Sequence, residues 1–191
     1  MGLENMLTKI SIDCDYKYEY EQDDYLGKHE LDILLYYARK VKGNFIEIGC
    51  NKGLTTKALS KVCEGIVYAI DYSEPTNPEQ QYECVDLFKH CLNIENVKCY
   101  NKNSQTMDYS KMSNIVLAFI DADHTYEGVK KDFENMKKLI KNGYIIFHDY
   151  SPETTFCWNG VANFIDELAL TREVLLHKGT MMAVVEVKDG Y

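Results

Sequence analysis

Two short segments of this chain, Asp121-Ala-Asp123-His124 and His148-Asp149-Tyr150, carry the residue types best suited to proton transfer or metal binding. Carboxylates beside imidazoles hold divalent cations, and an imidazole exchanges protons near neutral pH. Each segment follows a short apolar run, Ile115 to Ile120 and Tyr144 to Phe147, with the length and composition of a buried strand. A single Asp after a strand is more often a helix cap or turn former. Several acids and two histidines at neighbouring strand ends are harder to explain as punctuation.

A third segment supplies a different chemistry. Phe45, Ile46 and Ile48 form a buried-strand run, which leads into Glu47-x-Gly49-x-x-x-Gly53 and then into a helical stretch from Leu54 to Val62. The glycines let the backbone turn tightly and approach a ligand, and helix N-terminal amides attract negative charge. About twenty residues on, Val67 to Asp71 reads as a second strand ending in an acid, where a carboxylate accepts ribose hydroxyls. Together these read as a nucleoside-cofactor site. A dinucleotide fingerprint wants G-x-G-x-x-G, the middle glycine making room for a pyrophosphate. Here Cys50, Asn51 and Lys52 fill the turn, so a ligand without a pyrophosphate fits better.

The elements that must position these residues alternate between helix and strand, the signature of a parallel sheet wrapped by helices. Leu31, Leu34, Leu35, Ala38 and Val41 recur at helical spacing before the first strand, and Leu54, Ala58, Leu59 and Val62 do so after it. Strands are expected at Ile66 to Ile70, Val97 to Tyr100, Ile115 to Ile120 and Tyr144 to Phe147, and helices at about Asp86 to Leu92 and from Val129 to Ile140. Asn142-Gly143 is expected to end the latter helix. Val161, Phe164, Ile165 and Leu168 mark a last helix, and about Glu173 to Leu176 and Met182 to Val187 form a hairpin across Lys178-Gly179-Thr180. The expected fold is α/β and Rossmann-like: a seven-stranded, mostly parallel sheet with a C-terminal antiparallel hairpin and helices on both faces. In such open sheets ligands bind outside the carboxyl ends of the strands. Asp71, Asp121, Asp123, His124, His148 and Asp149 should therefore converge on the crevice that Gly49 lines.

At 191 residues the chain is long enough for one sizeable core. Its net charge of −9 argues against nucleic acid, whose affinity rests on Lys and Arg neutralising phosphates, and favours a small-molecule substrate. The seven cysteines are odd in number and form no C-x-x-C pair, as expected of reduced thiols in a cytoplasmic protein. No apolar run approaches a membrane-spanning length, so no membrane partner is expected. Residues 1–28 stand apart from the domain expected over 29–191. Tyr16, Tyr18, Tyr20 and Tyr25 lie among acids with no clean period, which suits a solvated arm, a lid over a substrate, or a homodimer contact.

The glycine turn resembles the first motif of class I S-adenosylmethionine-dependent methyltransferases, in which such a turn holds the methionine end of the cofactor. The stretches Ile120 to Val129, Gly143 to Tyr150 and Gly160 to Leu168 resemble the group that includes sugar and macrolide O-methyltransferases and cephalosporin-hydroxylase-like proteins, over about residues 29 to 187. A more distant similarity is to divalent-metal O-methyltransferases acting on catechols and caffeoyl-CoA.

The resemblance implies transfer of a methyl group from S-adenosylmethionine to a small-molecule acceptor, a hydroxyl oxygen above all, with or without Mg²⁺. It implies cofactor contacts from Glu47, Gly49, Asn51, Gly53, Asp71, Tyr72, Ser104 and Asp121, with a surface turn as the rival reading of Ser104. By the same carry-over Asp121 and Asp149 are metal ligands and His124 is the base; packing of His124 on Tyr126 is the plainer alternative. The metal enzymes have an asparagine where this chain has Tyr150, a poor ligand for a hard cation, so Asp123 or waters would complete the shell. A 2-His-1-carboxylate iron site from His124, His148 and Asp149 is a further option. His148 either orients Asp149 or meets substrate directly, as Tyr150 and Trp158 would, although Trp158 equally suits anchoring the last helix. A non-catalytic cofactor-binding protein of this fold and an NAD-dependent oxidoreductase are the alternative functions.

Overall fold

The computed structural model describes residues 6–14, 26–72, 87–151 and 159–189. Its elements are β1 (Leu7–Ile10), α1 (Lys28–Ala38), β2 (Asn44–Ile48), α2 (Leu54–Ser60), β3 (Val67–Asp71), β4 (Val97–Asn101), β5 (Ile115–Ile120), α3 (Tyr126–Leu139), β6 (Ile140–Phe147), α4 (Asn159–Leu168), β7 (Val174–His177) and β8 (Ala183–Val187). The strands form one sheet in the order β1, β7, β8, β6, β5, β2, β3, β4. Pairing is parallel except where β8 runs antiparallel to both β6 and β7.

Side-chain alternation along the central strands divides the core in two. Ile46, Ile48, Ile145 and Phe147 pack with Val129, Phe133 and Met136 of α3 and with Phe164 and Ile165 of α4. Phe45, Leu117, Phe119 and Ile146 face the other way, onto Leu31, Leu34 and Leu35 of α1 and Leu59 of α2. Sequestering both faces explains why these strands read as near-continuous apolar runs. The face coverage that the alternation of helix and strand implied is present.

The structure departs from the expected elements in three places. The sheet has eight strands rather than seven, because Leu7–Ile10, inside the segment read as an arm, pairs in parallel with β7. A four-residue edge strand, supported on one side only and half polar, leaves little trace in hydropathy. Gly143 does not stop a helix: α3 ends at Leu139 and the chain passes directly into β6. A Cβ on Gly143 would lie 1.9 Å from the Val116 carbonyl oxygen, at a φ of +149°, beside a register shift in the β5 to β6 pairing. The glycine serves a close approach between strands at a bulge. Finally, residues 87–93 form hydrogen-bonded turns, with Cys91 and Leu92 amides on the Phe88 carbonyl, rather than a regular helix.

Among the described residues no helix is long and apolar enough to cross a membrane. Cys14, Cys50, Cys63, Cys91 and Cys99 form no disulfide with one another, and three of them are buried; Cys84 and Cys157 lie outside the described residues. Tyr16, Tyr18, Tyr20, Tyr25 and Trp158 also lie outside them.

Candidate active site

The chain visits the sheet outward from β2 to β3 and β4, then returns to β5 and β6 on the opposite side, so the order reverses between β2 and β5. Loops leaving those two strands diverge and open a crevice. Gly49 and Asp121 stand at its two lips. A Cβ on Gly49 would sit 1.8 Å from the Asp121 carbonyl oxygen, at a φ of +89°, so only glycine permits this closeness. The crevice opens into a cleft of about 680 Å³, within the range of small-molecule sites.

On the β2 and β3 side the turn is held by two acids. Buried Glu47 accepts the Thr56 hydroxyl at 2.6 Å, which ties the end of β2 to α2. Asp71 accepts the amides of Asn51 and Tyr72, each at 2.6 Å. A carboxylate has about four acceptor positions, so Asp71 retains capacity for hydroxyls of a ligand in the cleft. Burial pushes the Asp71 carboxyl up, while the two amides pull the other way. Asn51 holds a φ of +45°, in the sparsely populated left-handed region. Glu47, Gly49, Asn51, Asp71 and Tyr72 all line the cleft; Gly53 does not, and instead starts α2 with its backbone against Cys91.

Ser104 also lines the cleft, but its hydroxyl donates to Asp132 of α3 at 2.7 Å. Tyr109 and Asn135 donate to the Ser104 carbonyl, which completes a buried anchor for this loop. Burial is the largest influence on Asp132 and pushes its carboxyl up to about 6, against the opposing Ser104 hydrogen bond. The folded value lies above the ordinary one near 3.9, so Asp132 contributes its full stability at low pH and loses it as pH rises through about 6. Asp132→Asn is therefore expected to stabilise the fold by up to about 3 kcal/mol at neutral pH and by little near pH 4. Thermal melts at both pH values check this; equal shifts would exclude the buried carboxylate as the cause.

The β5 and β6 side holds the acid and imidazole cluster. His124 Nε2 lies 2.8 Å from Asp149 Oδ2 and 3.5 Å from Asp121 Oδ1. The Asp121 and Asp149 carboxylates, as acceptors beside it, push the His124 imidazole up to about 10, so it carries a proton at neutral pH. Its side chain thus faces the carboxylates, while the Tyr126 hydroxyl pairs with Glu167 instead. His148 is buried, with Nδ1 3.3 Å from Asp149 Oδ1 and 3.7 Å from Asp121 Oδ1. Burial works against charge on His148, but Asp121, Asp149 and Glu30 outweigh it and push the ring up to about 12. Burial alone would raise Asp149; the two imidazoles hold it well below the usual carboxylate range. Asp149 has a φ of +61°, a conformation that costs a non-glycine residue of order 1 kcal/mol or more. That backbone turn aims its carboxylate between the two rings.

One ligand atom each from Asp121, His148 and Asp149 lies within 4.8 Å of the others, which is compact enough to hold a cation. His148, rather than Asp123, is the third member of this group. Asp123 is engaged elsewhere, accepting the Thr125 amide at 3.0 Å and the Gln105 side-chain amide at 2.9 Å. Tyr150 is absent from the cleft lining, and its hydroxyl donates to Asp166 of α4 at 3.1 Å. Tyr150, expected to meet substrate, thus has its hydroxyl on α4 in this structure. Leu26, Met181, Lys102 and Asn103 line the cleft without any sign in their local sequence; Glu30 does not line it, and reaches the cluster from behind through His148.

A family model described as a methyltransferase domain matches residues 46–150, from β2 to the end of the His148-Asp149-Tyr150 segment. No curated protein matches the chain. Among solved structures, the S-adenosylhomocysteine-bound methyltransferase PaMTH1 of Podospora anserina is 19% identical, with a TM-score of 0.62 over 85% of this chain and 80% of that one. The O-methyltransferase NovP is 14% identical, with a TM-score of 0.60 over 85% of this chain and 81% of its own. CalS11, a TDP-rhamnose 3′-O-methyltransferase of calicheamicin biosynthesis, is 19% identical, with a TM-score of 0.58 over 84% and 81%. At these identities the likeness is one of fold.

Proposed function

The chain belongs to the methyltransferase-domain family, and from that premise we propose that it transfers the methyl group of S-adenosylmethionine to a hydroxyl oxygen of a small molecule. One observation carries the reading: the turn held by Asp71 and the cluster of Asp121, His124, His148 and Asp149 open into the same cleft. Gly49 and Asn51 receive the methionine end of the cofactor and Asp71 the ribose, with Tyr72 and the Ser104 backbone at the base. Glu47 acts by supporting the turn. The acceptor hydroxyl lies at His124, whose imidazole takes its proton as the oxygen displaces the sulfonium in line with the transferred methyl. The products are the methyl ether, S-adenosylhomocysteine and one proton. The net charge of −9 favours a small acceptor over nucleic acid, and solved structures of like fold include a TDP-rhamnose 3′-O-methyltransferase and another O-methyltransferase.

The donor set tests whether a cation fits here. Asp121 and Asp149 suit Mg²⁺, which takes one or two carboxylates and keeps several waters; the His148 nitrogen suits Mn²⁺, Co²⁺ or Zn²⁺ better. Asp121 and Asp149 would hold such a cation, which would supply Lewis-acid stabilisation of the acceptor oxygen, and engaging those carboxylates would weaken their hold on the His124 proton.

An acceptor screen tests the reading. The protein is incubated with S-adenosylmethionine and sugar nucleotides, phenols, catechols or macrolactones, each with EDTA, Mg²⁺ or Mn²⁺, and S-adenosylhomocysteine release is followed. Turnover of one acceptor class, reduced at least about 100-fold in Asp149→Ala, is expected. Cofactor binding with no turnover of any class would instead identify a binding protein of this fold.

A further inference from the structure

One side chain reaches the cluster from outside the β5 and β6 ends. Glu30, in the first turn of α1, places Oε2 3.3 Å from His148 Nε2. The contact is off the N–H axis, so it is an ion-pair distance rather than a linear hydrogen bond. Glu30 is itself held rigidly: Oε2 accepts the Gly27 amide at 3.1 Å, and Oε1 accepts the Met181 amide, just before β8, at 2.9 Å. Its carboxylate is therefore clamped between two backbone segments from opposite ends of the chain and directed at one nitrogen of a buried ring.

The two nitrogens of His148 face different groups. Nδ1 looks toward Asp121 and Asp149, and Nε2 toward Glu30. A histidine ligates a cation through one ring nitrogen only when the proton resides on the other, and an acceptor beside that other nitrogen decides which tautomer forms. We propose that Glu30 is the positioning residue of this site: its carboxylate charge, 3.3 Å from His148 Nε2, favours the proton on that nitrogen once a divalent transition-metal ion engages Asp121 and Asp149, and so presents the Nδ1 lone pair to the same ion. This role rests on the metal-assisted reading above. It makes the site a two-carboxylate, one-imidazole centre and gives a role to a half-buried acid on α1.

The test is a titration of the full chain with Co²⁺, read by visible absorption and by calorimetry, in wild type, Glu30→Gln, Glu30→Asp and Asp149→Asn. S-adenosylhomocysteine affinity serves as the control for folding. Wild type is expected to bind Co²⁺ and Asp149→Asn to lose it. Glu30→Gln is expected to weaken Co²⁺ by about 10- to 100-fold and to alter the absorption bands, with S-adenosylhomocysteine affinity unchanged. Glu30→Asp, which keeps the charge one methylene short, should fall between, and it carries the test if Glu30→Gln does not fold. Co²⁺ affinity and bands equal to wild type in both Glu30 variants would overturn the positioning role while leaving the metal site intact. Absence of Co²⁺ binding to wild type would overturn the metal site itself, and the role of Glu30 with it.

Discussion

Asp71→Ala is expected to weaken S-adenosylhomocysteine by at least about 100-fold, from the loss of two charge-assisted hydrogen bonds to ribose at about 1.5–3 kcal/mol each. A second loss adds to the first. Asp71 also accepts the amides of Asn51 and Tyr72 at 2.6 Å, so its removal releases the turn that receives the methionine end. Asp71→Asn separates the two effects, since its amide oxygen keeps one acceptor while the charge is lost; an intermediate affinity is expected. Calorimetric titration measures both, with NAD as the comparison ligand. NAD is expected not to bind, because Cys50, Asn51 and Lys52 occupy the turn where a pyrophosphate needs bare backbone. Wild-type affinity in Asp71→Ala, or NAD binding comparable to that of S-adenosylhomocysteine, would remove the cofactor assignment on which the proposed chemistry depends.

The second large effect falls on the rate. His124→Gln is expected to lower kcat by about 10²–10⁴-fold, the usual share of a general base, with S-adenosylhomocysteine affinity unchanged. The pH profile is the sharper readout. Hydrogen bonds to Asp121 and Asp149 push His124 up to about 10, so in EDTA its neutral, proton-accepting form is the minority at neutral pH and grows as pH rises. Activity without added metal should therefore climb through the neutral range toward pH 10, and the His124→Gln profile should be flat. Added Mn²⁺ should move the wild-type rise to lower pH, because the carboxylates that hold the proton become engaged. A flat wild-type profile in EDTA, or full activity in His124→Gln, would assign proton removal to another group.

The parts of this site that were legible in sequence are those built within one strand and the turn that follows it. The run from Phe45 to Gly53, Asp71 at the end of its strand, and the acids and histidines after Ile120 and Phe147 each announce themselves through hydrophobic runs, glycine chemistry and a change to polar residues. Their convergence follows from a rule of open parallel sheets, so Gly49, Asp71, Asp121, His124, His148 and Asp149 meet in one cleft as expected. Ser104 shows the limit of that rule: its position at the cleft was predictable, but the direction of its hydroxyl, onto Asp132, depends on a helix 28 residues away.

Other features have no local signal. Glu30 reads as an ordinary acid in the first turn of a helix, and only the docking of α1 against the sheet brings it to His148. Tyr150 follows two cleft residues yet points to Asp166, because the left-handed backbone at Asp149 turns the chain before it. Gly143 looks like a helix stop and is instead a close approach to Val116, a contact between residues on different strands. The edge strand Leu7–Ile10 is specified by a partner, β7, that lies far along the chain.

By itself, then, the sequence determined the kind of fold, the order of its central elements and the residues that stand at the strand ends, because hydrophobic period and turn chemistry act over a few residues. Which side chains touch was decided by the tertiary structure. The assembly of Asp121, His148, Asp149 and Glu30 depends on the angle at which α1 packs and on backbone rotations at Gly49 and Asp149, and those are settled by the packing of the whole core rather than by any local stretch of chain.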